Sequence, residues 1–499
     1  MSQTKAELID GKGDVVFDTD TLAVDATNNR VGIGEVAPGT QVEVNGAEPY
    51  ITIKNSTEED TDGGRESRII FEGEQSGGEI STLAQIEVSH DGAVDDQKGK
   101  IVISTNDGTD GAAPTTALTI SADQTVAVAN NLTVNGNQYP TDGPLSNRNL
   151  IVNGAMQVAQ RSTSLVSVSN NSNEDYQSVD RMRTQLTNSA PGAADIGQST
   201  DVPAGQGFSN SWSLDVTTAN TAPGTVFEIY VSQKLEAQDV RNSGWDYTDP
   251  NSFLTLSFWA KSNKAGTHVI NITTHDGTTH HIPFEYDLVA NTWTFVEKHI
   301  PGNANLTINN DNGPGFEVAW KFLQGTDRNG GTDETWSSNT QHRGTPNGVN
   351  LFDTVGNNFF LTGVQLEVGS KSTPFEHRSY ADELHRCMRY YQEYTSSTNG
   401  LGIAGAGFVE TGTQTEFVFH LSTPMRTLAS ANITEIGDLE VRVGGSRFDV
   451  TGLDSVAFND NFSLAVTRVS NVNSSASVGT VARLRSNGVG AGFSFNAEL

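Results

Sequence analysis

The chain has 499 residues, 35% of them hydrophobic and 50 of them glycine; that length allows about three domains, and so little apolar content favours thin β layers over deep α/β cores. Its 60 acidic and 30 basic residues leave a formal charge of −30, which disfavours a phosphate-backbone partner because such binding needs clustered Lys and Arg. The single cysteine, Cys387, excludes an intrachain disulfide, no apolar run approaches the ~18 residues of a membrane span, and the opening residues carry no signal-peptide core. The expectation is a chain made in a cytoplasm, without nucleic-acid binding or membrane insertion, that leaves by lysis if it works outside a cell.

Residues 1–20 are polar apart from the apolar knot Val15, Val16 and Phe17. Residues 21–140 contain a weak internal repeat. Thr21–Gly34 leads to Val42-Glu-Val-Asn-Gly46, and Leu118–Val128 leads to Leu132-Thr-Val-Asn-Gly136. Each copy alternates with period two, as strands require. Between the copies the same alternation predicts strands at Tyr50–Lys54, Arg68–Glu72, Ser81–Val88 and Lys100–Ser104, separated by Asp-Gly turns. This reads as a β-rich proximal module that completes its core in an oligomer. Thr141-Asp-Gly-Pro144 marks residues 141–148 as a linker.

Residues 149–377 carry an opening strand at Asn149–Arg161 and further strands at Ser211–Val216, Val226–Leu235, Phe253–Ala260, His268–Thr273, Trp293–Ile300, Phe316–Phe322 and Leu361–Glu367. Regular strands with Gly, Asn and Pro turns and no βαβ alternation predict an antiparallel sandwich. One amphipathic helix is expected within 378–394, from Ser379 to Tyr394. Asp382 and Glu383 lie in its first turn, and Leu384, Cys387, Met388 and Tyr391 form an i, i+3, i+4, i+7 stripe. That stripe suits either three-fold packing or packing on its own subunit. Residues 395–499 form a last β module with strands near Phe408–Thr411, Glu416–His420, Leu439–Val443, Val456–Asn459, Phe462–Arg468 and Val478–Arg485.

The segment LTGVQLEVGSKSTPFEHRSYADELHRCMRYYQEY, residues 361–394, resembles a stretch of bacteriophage tail-fibre proteins. In those proteins a carbohydrate-binding-like jelly roll ends in "VQLE-G---TPFE-R" and runs into a helix ending "C-RYY". NLIVNGAMQVAQR at 149–161 resembles the opening of that jelly roll, NNRVGIG at 28–34 resembles fibre-shaft repeats, and FVFHLSTPMR at 417–426 resembles the strand after the helix. The resemblance implies a mainly β, multi-domain, trimeric fibre of the virion tail. It implies attachment by residues 1–20 to tail adaptor or nozzle proteins, a distal knob at 395–499, and adhesion to a host surface polysaccharide or lipopolysaccharide. A head-fibre protein and a polysaccharide depolymerase stay open as alternatives. A structural calcium is implied by the resemblance alone.

All six tryptophans fall within 149–377. Sugar-binding sandwiches stack exposed aromatic faces on the C–H faces of pyranose rings. Trp259, Trp293 and Trp320 lie in strand-like runs and read as core or structural. Trp245 and Trp336 lie in loops and, with Tyr247, are the candidate stacking residues. His275, His280, His281 and Asp276 cluster around a hairpin turn at Asp276-Gly277; hairpin decoration is preferred to a metal site, which needs four converging ligands. Acidic loops at Asp95-Asp96, Asp107–Asp110 and Asp311 fit no EF-hand spacing. No nucleophile elbow, P-loop or HExxH motif appears, so no catalytic activity is expected. Cys387, without a placed His and Asn, reads as core.

Overall fold

The computed structural model describes residues 15–17, 21–108, 114–129, 132–134, 137–139, 146–169, 176–186, 192–396, 402–459, 461–472 and 475–499. The chain divides into two compact units, residues 1–132 and 133–499. It is mainly β, built of antiparallel sheets with two α-helices among the described residues.

In the first unit Val15–Phe17, Leu22–Asp25, Arg30–Ile33 and Val42–Val44 pair in that order, with only the last pair parallel. Asp25 makes the tight turn, its carboxylate accepting the N–H groups of Thr27 and Asn28 while Asn29 takes φ 56°. A second sheet is a meander of Ser67–Glu74, Ile80–His90, Gly99–Thr105, Thr115–Ile120 and Val126–Val128. The expected strand at Tyr50–Lys54 does not form. Among the described residues nothing in the unit covers its apolar side chains, and Tyr50 and Ile51 stand more than three-quarters exposed. The consecutive residues Ile69, Ile70 and Phe71 are each about half exposed. Successive side chains of a strand point to opposite faces, so this sheet leaves apolar groups open on both faces. Both hydrophobic clusters among the described residues lie in the second unit.

The second unit holds the predicted sandwich. One sheet orders Val166–Ser169, Ala193–Ser199, Ser211–Thr218, Asn358–Val368, Phe253–Ser262 and Thr294–Pro301. The facing sheet orders Arg183–Leu186, Glu228–Glu236, Pro314–Gln324, Gly266–Thr274 and His280–Leu288. The chain crosses between layers repeatedly, as in a jelly roll. Period-two alternation supplies the core: Leu254, Leu256 and Phe258 point in from one layer, Phe316, Val318 and Trp320 from the other. Trp212 stacks on Phe322 across the gap at 6.0 Å, and Phe258 meets Trp320 edge-on at 5.6 Å. Each such ring contributes roughly 1.5–3 kcal/mol by leaving water.

Asn149–Arg161 is buried but is not the expected strand. Asn153 and Met156 take φ 62° and 56°, which breaks strand geometry. Side chains replace the ladder: Asn149 Nδ2 donates to the Val364 carbonyl, and Asn149 Oδ1 accepts from Ile151 and Leu366 N–H.

The helix is shorter than expected, Tyr380–Met388, with Ser379 capping it by accepting the Asp382 N–H at 3.2 Å. Tyr391 is not on it; it begins the strand Tyr391–Thr395, which pairs with Gly492–Asn496. A five-residue helix at Ala237–Arg241 was not expected. Beyond it the last module is a closed barrel of Gly402–Thr411, Gln414–His420, Leu464–Asn471, Ser446–Phe458, Leu439–Val443 and Val481–Ser486. A three-stranded sheet of Tyr391–Thr395, Gly492–Asn496 and Ser430–Thr434 accompanies the barrel. Glu498 joins this module to the sandwich by accepting from both Arg161 and the buried Arg181, whose guanidinium lies 3.5 Å over the Tyr390 ring.

Candidate functional site: an aromatic cleft on the six-stranded sheet

In Phe253–Ser262 the residues Leu254, Leu256, Phe258 and Ala260 fill the core, so Trp259 and Lys261 point outward. The register sets Trp259 beside Phe295, their ring centroids 5.3 Å apart. Phe295 is 46% exposed and Trp259 is half-buried. Lys261 sits opposite Phe360, its ammonium 4.8 Å above that ring, and Trp293 lies 6.3 Å from Phe360. Asp201 fixes this end, accepting from Lys261 and from the Trp293 indole N–H.

At the other end a cleft of about 410 Å³ is lined by Trp259, Phe295, Phe208, Phe375 and His377, with Ser257, Thr373 and Gln206 as polar partners. Phe208, Phe375 and His377 pack together at centroid distances of 5.0 and 4.9 Å. Gly363 keeps the floor open. It takes φ 63° at a bulge, and a Cβ there would lie 2.6 Å from Phe208 and 3.1 Å from Trp259.

Residues 365–378 build the wall that carries Phe375 and His377. Buried Glu367 accepts the Thr373 N–H and hydroxyl at 2.8 and 2.7 Å, and Gln365 Oε1 accepts the Glu376 N–H at 2.8 Å. Arg378 in turn donates to the Ile151 and Asn149 carbonyls. This segment thus holds an aromatic loop against the sheet. A cleft of this size with aromatic walls and a few hydroxyl partners suits a small ligand with apolar faces and polar edges.

The structure corrects the sequence-based assignment of tryptophans. Trp245 is 3% exposed; its ring meets Phe316 at 6.0 Å, and its N–H donates to the Ser252 carbonyl. It is core and has no free face for stacking. Tyr247 is half-buried beneath the Arg241 guanidinium at 5.3 Å. Trp336 is half-buried against the core, donating to the Pro301 carbonyl at 2.9 Å. None of the three lines the cleft. Trp259, read as core, is on the outer face, as is Trp293. The signal for Trp259 was present: it shares parity with Lys261, while the apolar set Leu254, Leu256, Phe258 and Ala260 has the opposite parity.

Among the other candidates, Cys387 is fully buried, and burial pushes its thiol well up. Leu384 and Met388 are half-buried, and Tyr391 lies under Arg161 at 3.8 Å. Val15, Val16 and Phe17 form a strand whose side chains lie outside the described residues. The histidine hairpin turns at Gly277 as expected, but its members separate. Asp276 binds Asn309, His280 binds the Thr278 carbonyl, and His275 and His281 enter a polar pocket on the five-stranded sheet. Asp96 is engaged by His90 and Lys98, and Asp311 by the Gly313 N–H; Asp110 lies outside the described residues. No group of three or more metal-ligating side chains converges among the described residues, and no helix there is long and apolar enough to cross a membrane.

No protein-family model matches the chain, and no curated protein matches it. Among solved structures it is similar to the enzymatically active domain of tailspike protein 4 of bacteriophage CBA120, with 15% identity over 44% of this chain and a TM-score of 0.24. That match spans about a fifth (21%) of the tailspike chain. A putative sugar-binding protein from Bacteroides thetaiotaomicron is 14% identical over 44% of this chain and 99% of its own, with a TM-score of 0.25. A family 16 carbohydrate-binding module is 13% identical over 36% of this chain and 85% of its own, with a TM-score of 0.18.

Proposed function

We propose that the chain is a tail-fibre adhesin of a bacteriophage, and that its sandwich binds a host-surface glycan in the aromatic cleft. The observation that carries this reading is the outward-facing Trp259–Phe295 pair walled by Phe208, Phe375 and His377. Such rings stack on the C–H faces of a pyranose while Ser257 and Gln206 bond its hydroxyls. Enrichment of aromatic anchors in a partly desolvated pocket is the usual source of binding energy. The protein needs only to hold the sugar, and no reaction step is assigned to it.

The reading extends to assembly. A sheet with apolar groups on both faces fits a fibre in which three copies cover one another, and three weak sugar sites then act together through effective concentration. Residues 1–20 would join the fibre to a tail adaptor or nozzle protein and place the sandwich on the virion tail. The host partner would be a surface polysaccharide or lipopolysaccharide.

The test is calorimetric titration of the purified chain with oligosaccharides cut from host surface polysaccharide. Trp259→Ala and Phe295→Ala are each expected to weaken binding at least about tenfold, the effect of removing a ring anchor worth ~1.4 kcal/mol or more. Unchanged affinity in both variants would remove the cleft from the account. Release of new reducing ends during the titration would replace the adhesin reading with a depolymerase.

A further inference from the structure

The opposite face of the sandwich carries a second pocket of different chemistry. It lies on the five-stranded sheet, with a volume of about 260 Å³. Four cationic side chains line it, Arg183, Lys234, Lys321 and Arg343, against one carboxylate, Glu317. Behind them Glu228 accepts from Lys321 at 2.9 Å and is ion-paired with Arg328 at 3.1 Å. Counting those two as well, the surplus of positive charge stays at three, in a chain whose overall charge is −30.

These groups are recessed. The side chains of Arg183 and Lys321 are 2% and 4% exposed. Arg183 bridges Glu317 at 3.2 Å and Gln185 at 2.9 Å, and the Lys321 ammonium sits 3.8 Å over the Tyr230 ring. Each of these two buried cations has a carboxylate partner, Glu317 for Arg183 and Glu228 for Lys321, so the net positive charge lies toward the rim, where Arg343 is 33% exposed and 3.7 Å from Glu228, and its field favours an anion in the pocket.

A second observation points the same way. His281 is 1% exposed, and its Nε2, buried in the pocket, has no hydrogen-bond partner. Its Nδ1 lies 3.1 Å from the Thr273 hydroxyl, which itself accepts from Asn271 Nδ2 at 2.8 Å. With Asn271 donating into it, the hydroxyl is free to give its own hydrogen to Nδ1. Nε2 then carries the ring proton and becomes a donor into the pocket. Arg343 Nε is also buried without a hydrogen-bond partner. Burial first, and then the charges of Arg343, Lys321 and His275, keep the imidazole neutral. The pocket is rich in donors and short of acceptors.

We propose that this pocket binds an acidic sugar unit, a pyranose bearing a carboxylate such as a uronic acid, at a site separate from the aromatic cleft. The carboxylate would accept from His281 Nε2, Arg343 and Lys321, and Gln185 would meet a ring hydroxyl. The volume has room for about one sugar ring and is more than a bare inorganic anion needs. That the anion is part of a saccharide rests on the glycan-binding reading above; that it is an anion rests on the pocket alone. The chain's overall charge speaks against acidic polymers, but the local field of this pocket has the opposite sign.

The test is titration of the full chain with galacturonic acid oligomers, the matching neutral galactose oligomers and inorganic phosphate. Saturable uronate binding is expected, weakened by 0.5 M salt, at least tenfold weaker in Arg343→Gln and His281→Phe, and unchanged in Phe295→Ala. Arg343 lies at the rim, 33% exposed, so its variant reports binding if the His281 variant fails to fold. Neutral oligomers binding through the aromatic cleft with no uronate binding would overturn this proposal and leave the adhesin reading standing. Phosphate binding as tightly as uronate and displacing it would overturn the sugar assignment. No binding of any saccharide would remove the glycan reading as well.

Discussion

Replacing two aromatic residues on the same sandwich, Trp245→Ala and Phe295→Ala, should separate stability from binding. Trp245 is 3% exposed, packs against Phe316 and donates to the Ser252 carbonyl. Truncating a buried ring of this size costs about 3–5 kcal/mol, and the carbonyl left behind adds about 1 kcal/mol. At ~2–4 °C per kcal/mol for a domain of about 200 residues, the thermal midpoint falls by roughly 8–24 °C. Phe295 is 46% exposed and rests on Trp259 from outside. Its removal costs about 1 kcal/mol or less, a shift of at most ~4 °C. Calorimetric melts of the three proteins check this, followed by oligosaccharide titration at 20 °C. The expected pattern is a destabilised Trp245→Ala that still binds where folded, and a stable Phe295→Ala that does not. A Trp245 variant melting within ~2 °C of the parent would refute the placement of that ring in the core.

Acid should destabilise the sandwich through His281. Burial, with Arg343, Lys321 and His275 nearby, pushes its pKa down from 6.5 to about 3. The unfolded chain then takes up a proton near pH 6.5 that the folded chain refuses, so this stability is full above pH 6.5 and is lost as pH falls toward 3. Urea midpoints at pH 7 and pH 4.5 should differ less in His281→Asn than in the parent; equal slopes would contradict the buried neutral ring. Glu498→Ala leaves the buried Arg181 guanidinium without its carboxylate and should cost about 3–5 kcal/mol in urea unfolding, whereas a loss below ~1 kcal/mol would show that the junction is solvated. Light scattering should give a mass near three times the 53.3 kDa of one chain, and Ile70→Asp, on a half-exposed apolar strand, should lower it; a parent at the mass of one chain would sink the three-copy fibre.

Strands were the legible part of the sequence. Where one face is buried, period-two alternation is strong, and Phe253–Ser262 and Pro314–Gln324 match the expected runs to within two residues. His280–Leu288 escaped notice because Pro283 and its polar neighbours mask the alternation of Ile282, Phe284 and Tyr286. Asn149–Arg161 looked like a strand because its apolar residues alternate, yet two positive-φ residues and asparagine side chains hold it in an irregular form. The helix was extended too far because Tyr391 continues the apolar stripe; in three dimensions the chain turns at Arg389 and pairs with its own C-terminal strand.

The site was less legible, for two reasons. Loop tryptophans suggest exposure, but Trp245 is drawn inward by contacts from Phe316, a partner 71 positions away that no local pattern reveals. The apolar neighbours of Trp259 suggest core, while its parity with Lys261 places it on the outer face. The cationic pocket draws Arg183, His281, Lys321 and Arg343 from three strands and a loop, so no contiguous motif announces it. Net charge hid it further, since −30 describes the whole surface and not one recess.

The most direct test of the central claim is binding of labelled parent protein and of Trp259→Ala to intact host cells, with and without soluble host surface polysaccharide. The account predicts saturable binding by the parent, loss of that binding when the polysaccharide is added, and at least tenfold weaker binding by Trp259→Ala at equal oligomeric mass. Parent and variant binding alike, or cell binding that the polysaccharide leaves untouched, would contradict it.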